Sequence, residues 1–362
     1  MSNKISADLS LQQEAKQMSR QERTDLNYPI FDGEKMVEAA SIVIENGVIS
    51  AVEECGAGKC VSKDQNSTCL LMPALIDAHT HLGNEEQLRE MLKNGIAAAC
   101  DVAAPAALVE SAAPFTIISS AGMTMTTLDG KGYVEDAIRK GAKYIKVLLM
   151  QPNLMLKGVL RRICETAHEK GLKVAVHATE VKTVQLAVTC GADILLHVPL
   201  TEEYPQELAA EIAEKGIAVA PTLIMMETFA NSGRFGYKPE HYQNARQAVK
   251  RLHENGATIL AATDANPGSY APGVAYGTSM HREMELLAQA GMTPAEILAG
   301  ATGKTAEVFG ISDFGRIKAG QRATLLLVDG RPDRTITDTV RISKMWINGK
   351  LISVGNVQEN AQ

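Results

Sequence analysis

Eight short apolar runs, separated by amphipathic stretches, occupy residues 70–265 of this 362-residue chain, and strands that alternate with helices build parallel βα units. The runs are LLMPALIDAHTH (70–81), IAAACDVA (96–103), FTIISSAG (115–122), AKYIKVLL (142–149), KVAVHAT (173–179), DILLHVP (193–199), IAVAPTL (217–223) and TILAATDA (258–265). The segments between them carry helix punctuation. Asn84 can cap NEEQLREMLKN, which stops at Gly95, and ETAHEKG, AEIAEKG and RLHENG each end in glycine just before the next run. Eight such units in roughly 240 residues predict an α/β fold, a (β/α)8 TIM barrel, for which about 250 residues is typical.

Both flanks follow a different pattern. The stretch from Tyr28 to Glu54 and the stretch from Gly315 to Ile352 alternate apolar and polar residues around Asn-Gly and Asp-Gly turns, the signature of hairpins. The expected layout is therefore a small β-sandwich made by both chain ends, residues 1–69 and 315–362, around a barrel at 70–314.

Charge narrows the function classes. A formal net charge of −6, with basic and acidic residues interspersed, gives no footprint for nucleic acid or an anionic membrane surface, so a small-molecule substrate is the expected partner. A homo-oligomer is compatible with such a chain. The six cysteines include no CxxC pair and no cysteine–histidine cluster, which points to free thiols. The polar N-terminal stretch lacks an apolar leader segment, and the expected location is cytoplasmic.

In a barrel of this type, functional side chains stand at the C-terminal ends of the strands. Here those ends carry His79 and His81 on the first strand, Lys146 on the fourth, His177 on the fifth, His197 on the sixth and Asp264 on the eighth. Residues at i and i+2 on a strand share a face, so His79 and His81 can grip one ion together. Imidazoles with a carboxylate suit zinc, and would also accept manganese, cobalt or iron. A lone histidine is more often structural than ligating, which is the reading for His168 and His253 on helices. Lys146 is costly in an apolar strand. It is either carbamylated into a metal-bridging carboxylate or paired with Asp264 as an ordinary lysine. For substrate contacts, Arg234, Tyr237 and His241 lie in a long segment after the seventh strand, and His281 opens MHREMELL. Each also has a bland reading, as solvated loop or as packing beneath the eighth strand.

These motifs resemble the amidohydrolase superfamily, in its imidazolonepropionase-like and Xaa-Pro dipeptidase-like branch. PALIDAHTH, GIAAACD, GAKYIKV, KVAVHA, GADILLH and GATILAATDA carry the resemblance, with the closing MHREMELLAQAGMTPAEILAGATGKTAEVFG and GRIKAGQRATLLLVDGRP. It implies two zinc ions per chain. His79, His81 and Asp264 would hold the first, His177 and His197 the second, with carbamylated Lys146 between them. A hydroxide bridging the metals would attack an amide, peptide or cyclic amide C–N bond, and Asp264 would move its proton to the leaving group. The alternative is a mononuclear deaminase of an aminated heterocycle. In it Glu180, from the His-x-x-Glu at 177–180, would shuttle the proton; its bland reading is an acid favoured by a helix N-terminus. A metal-free binding protein is the non-enzymatic alternative, but such chains usually lose ligands and this one has kept every one.

Overall fold

The run at 70–81, one strand by its pattern, is divided at Ala74 between two different sheets, and this division positions everything else. The computed structural model describes residues 23–54, 69–150, 155–268 and 272–352. Cys55, Cys60 and the polar N-terminal stretch lie outside them. The strands are β1 (Arg23–Phe31), β2 (Met36–Glu45), β3 (Val48–Glu54), β4 (Cys69–Pro73), β5 (Leu75–Thr80), β6 (Ile96–Asp101), β7 (Thr116–Ser119), β8 (Ile145–Leu149), β9 (Val174–Ala178), β10 (Ile194–Leu196), β11 (Ala218–Ala220), β12 (Leu325–Asp329), β13 (Ile342–Ile347) and β14 (Lys350–Ile352). Pro73 has no N–H to donate, so a ladder ends there readily. It faces Leu325 as the last pair of β4 with β12, and β5 then turns to β6.

Both chain ends meet in one seven-stranded sheet, ordered β14-β13-β12-β4-β1-β2-β3. The Asn-Gly pairs do what their residues favour: Asn46-Gly47 and Asn348-Gly349 all have positive φ, as a two-residue hairpin turn of type I′ demands. The two turns meet. Ala323 N–H donates to Gly47 O and Gly349 N–H to Ala323 O, both at 2.9 Å. A Cβ on Gly349 would stand 2.8 Å from Gly47 Cα, so this approach requires glycine. The sheet thereby curls around buried Ile30, Ile42, Ile44, Ile49, Leu71 and Trp346.

The parallel strands form two sheets, β5-β6-β7 and β11-β10-β9-β8. Hydrogen bonds join them on both flanks. On one side Lys143 N–H donates to Ser119 O and Leu148 N–H to Thr124 O, each at 2.8 Å. On the other, the eighth run bonds to both neighbours: Leu260 N–H to Val219 O at 2.8 Å, and Ala78 N–H to Ala261 O at 3.0 Å. That run was expected to be a strand and is instead a bridged, irregular segment. Its backbone is left-handed at Asp264, φ 57°, and the Asp77 side chain takes the Thr263 N–H that a strand partner would use.

Strand parity separates two cores. Ile76, Ala98, Cys100, Ala175, Ala218 and Ala262 point to a shared interior, closed at the N-terminal end by Phe309 and Phe314. Val147, Val174, Val176, Leu195, Val219 and Ile259 point outward to the helices. The helix ends follow the sequence: Asn84 caps Glu85–Lys93 in a capping box with Gln87, and Gly95, Gly171, Gly216 and Gly256 all have positive φ. Among the described residues, no helix is long and apolar enough to cross a membrane. Cys69, Cys100, Cys164 and Cys190 are free thiols.

Candidate active site

A β-bulge decides which residues of β5 reach the site. Its register against β6 slips between Asp77 and Thr80, so the inward face changes from Ile76 and Ala78 to His79 and His81. Asp77 holds the bulge. Its Oδ1 accepts from His79 N–H at 3.2 Å and from Thr263 N–H at 3.0 Å, and its Oδ2 from Thr263 Oγ1 at 2.6 Å. Burial pushes this carboxyl up to about 7 against those hydrogen bonds. Asp101, at the end of β6, clamps the next turn by accepting from Ala103 N–H at 2.8 Å and from Thr80 Oγ1 at 3.3 Å. Neither aspartate was singled out from the sequence, although an acid inside an apolar strand run was the signal available.

The resulting mouth brings six residues together around a cavity of about 410 Å³: His79, His81, Lys146, His177, His197 and Asp264 all line it. One group is tight. His79 Nε2 and His81 Nε2 lie 3.3 and 3.0 Å from Asp264 Oδ1, and the donor atoms of the three residues fall within 4.8 Å of one another. The His177 and His197 rings pair beside it, their centroids 4.5 Å apart, and His197 is 5.3 Å from His79. His197 (φ 71°) and Thr222 (φ 50°) are left-handed like Asp264, and Thr222 Oγ1 lies 2.7 Å from His197 Nδ1, fixing its ring. Such backbone strain clusters where a structure must aim side chains. Thr222 is itself steadied from outside: the backbone N–H groups of Leu223 and Ile224 donate to buried Glu283 at 3.0 and 2.7 Å.

Burial and neighbouring like charge keep three of the histidines neutral. Burial, then the Lys146 charge and the other histidines, hold His79 far below the ordinary histidine range. His177 is pulled down to about 3 by burial and Lys146. His197 is lowered by burial, His177 and Lys146. Neutral imidazoles facing a carboxylate at about 3 Å form a donor set with nitrogen and oxygen ligands that suits a divalent metal. Lys146 is 2% exposed, and burial brings its amine down to about 7, with Asp264 pulling the other way.

Substrate candidates divide. Tyr237 lines the cavity, whereas Arg234 is exposed and outside the lining, and His241 accepts from Lys238 N–H at 3.2 Å. His281 is not at the mouth. It is buried against the 3-10 turn Ile336–Val340, its Nδ1 3.0 Å from Thr339 Oγ1. Glu180 lines the cavity as the N-cap of Val181–Cys190, one residue before the helix. His168 and His253 pair with Asp193 and Glu296 at 2.8 and 3.1 Å, away from the cavity lining.

His281 gives a pH prediction. Burial lowers it to about 4, against about 6.5 in an unfolded chain. The folded state therefore resists its protonation, and the contribution is present above pH 6.5 and lost as pH falls towards 4, on the order of 3 kcal/mol. His281→Asn should flatten this part of the stability curve in denaturant titrations at pH 7, 5.5 and 4. An unchanged slope would assign the pH dependence elsewhere.

Comparison with known proteins is consistent with this geometry. The family model described as "Amidohydrolase family" matches residues 70–352. The imidazolonepropionase of Pseudoalteromonas atlantica is 28% identical over 192 residues, 52% of this chain and 43% of that protein. The ochratoxinase of Aspergillus niger is 26% identical over 237 residues, 59% of this chain and 47% of that one. The chain thus spans less than half the length of these curated relatives. A crystal structure of a Xaa-Pro dipeptidase with bound methionine superposes with TM-score 0.76 at 18% identity, covering 91% of this chain and 100% of that one. The structure of the A. niger ochratoxinase gives 0.75 at 20% identity, covering 92% and 96%.

Proposed function

The chain belongs to the amidohydrolase family, and we propose that it is a metal-dependent hydrolase of amide, peptide or cyclic amide C–N bonds on a (β/α)8 barrel. The observation that carries the proposal is the convergence of His79, His81 and Asp264 within 4.8 Å, beside the His177–His197 pair. In the same proposal the barrel runs from Ala74 to about residue 314, and the curled sheet from both chain ends is the small β-sandwich.

His79, His81 and Asp264 would hold one metal and His177 and His197 a second, with Lys146 between them. Zinc suits this donor set. Bound there, the metals would supply Lewis acidity that activates water and polarises the amide carbonyl. Burial favours the neutral Lys146 amine, the form that adds carbon dioxide: its nitrogen bonds to the carbon, one proton leaves, and the product is a carbamate anion. Asp264, 8% exposed at the cavity floor, would take the proton of the attacking water and return it to the departing nitrogen. The apolar walls would hold the groups flanking the scissile bond and limit water.

Glu180 supports a second reading. Its side chain lines the cavity, 33% exposed, at a position from which a carboxylate could pass a proton to an aminated heterocycle over one metal. Lys146 argues against it, since a single-metal deaminase has no use for a lysine on the fourth strand. Elemental analysis of protein purified without chelator separates the two. About two equivalents of metal per chain, with amide hydrolysis lost to chelator and restored by Zn2+, is the expected result. About one equivalent, with ammonia released from aminated heterocycles, would replace the hydrolase reading with the deaminase.

A further inference from the structure

The walls above the candidate metal ligands have a chemistry of their own, and what they imply rests on amide hydrolysis as the reaction. One wall is aromatic: Phe229, Phe235 and Tyr237 line the cavity, with Phe229 centroids 6.1 and 5.8 Å from the other two. Aliphatic and thioether side chains, among them Met123, Leu148 and Met150, complete the lining. Flat rings together with flexible methionines suit a bulky apolar group of variable shape.

Away from the candidate ligands, charge is sparse among the described lining residues. Among the described residues, no arginine lines the cavity, and its single lysine is Lys146, at the floor among the candidate ligands. The one ionisable carboxylate on the walls is Glu180. Its Oε2 lies 3.2 Å from Lys182 Nζ without hydrogen-bond alignment, and that lysine stays outside the lining with its side chain 60% exposed. Oε2 is enclosed, so what the Glu180 side chain, 33% exposed, offers the cavity is its other carboxylate oxygen, and a substrate carboxylate would meet a like charge there with no arginine fork to receive it.

We propose that this pocket takes an uncharged amide with a bulky apolar group. Glu180 accepts an N–H of that substrate and turns away substrates carrying a free carboxylate beside the scissile bond. Glu180 is thereby a specificity-determining residue.

The test uses the full-length, metal-loaded protein and N-acyl phenylalanines in matched pairs, the free acid against the carboxamide, with acetyl and benzoyl as acyl groups. Release of the acyl acid is followed. The expected result is kcat/KM at least about 10-fold higher for the carboxamide and for benzoyl over acetyl, with the acid–amide difference mainly in KM. Glu180→Gln should shrink the acid–amide ratio at least about threefold by improving the acid. As a second variant, Phe235→Arg, on a 75% exposed side chain, should shift preference towards the acid. Equal or faster cleavage of the acids by the unsubstituted protein would overturn this proposal and leave amide hydrolysis standing. Release of acyl acid from none of the four substrates would overturn the hydrolase reading, and the pocket assignment with it.

Discussion

Asp264→Asn is expected to keep the fold and to lower kcat by roughly 10²- to 10⁴-fold, the usual worth of a positioned general acid–base group, or about 3–5 kcal/mol of barrier. Asparagine suits the position for two reasons. It tolerates the left-handed backbone found there at φ 57°, and it is nearly isosteric, so the hydrogen bond from the residue 264 N–H to His79 O at 2.9 Å stays. What it loses is the ability to take a proton beside His79 and His81. Steady-state kinetics, with thermal melting and metal content on the same sample, checks the prediction. A kcat within about threefold of the original, on protein that still holds metal, would move the proton transfer to another residue.

Lys146→Ala should act through a different route. Ile145 and Val147, its neighbours on β8, face the outer core, so the lysine alone carries a polar group from this strand to the cavity floor. If a carbamate on Lys146 bridges two metals as proposed, its loss should release most of the metal and reduce activity by at least about 10³-fold, with partial recovery in acetate or propionate supplied as a replacement carboxylate. Carbon-13 NMR of the original protein under labelled carbon dioxide should show a carbamate resonance that the variant lacks. Full metal content and activity in the variant, or an original protein without that resonance, would remove the bridge and leave Lys146 as a buried amine near Asp264.

Much of this arrangement was legible because local rules and global fold agree. Period-two apolar runs, glycines after helices and Asn-Gly pairs each encode backbone geometry within a few residues, and the parallel strands and both hairpin turns lie where those signals stand. The gathering of His79, His81 and Asp264 was also legible, since strand ends are where such a fold collects side chains. Other features depend on distant partners. Nothing local in LLMPALIDAHTH says that β4 will pair with β12 and β5 with β6. The slip that turns His79 and His81 inward depends on Asp77 reaching Thr263, 186 residues away. Tertiary packing likewise settled the loop and helix candidates: it aimed His281 at Thr339 and left Arg234 in solvent, while the motif positions alone allowed both at the mouth.

The placement of β4 between β1 and β12 has a consequence for how the protein is made. β12 leaves the ribosome some 250 residues after β4, so for most of synthesis β4 has one ladder edge open beside the strand that carries His79. Parallel βα units can assemble as they emerge, but the sheet that anchors the first of them waits for residues 325–352. An exposed apolar edge during that interval invites pairing with a neighbouring nascent chain. Final seating of the strand that carries His79 is therefore tied to a segment translated some 250 residues later, and yield in a cell should respond more to translation pace and chaperone supply than the finished structure's stability would suggest.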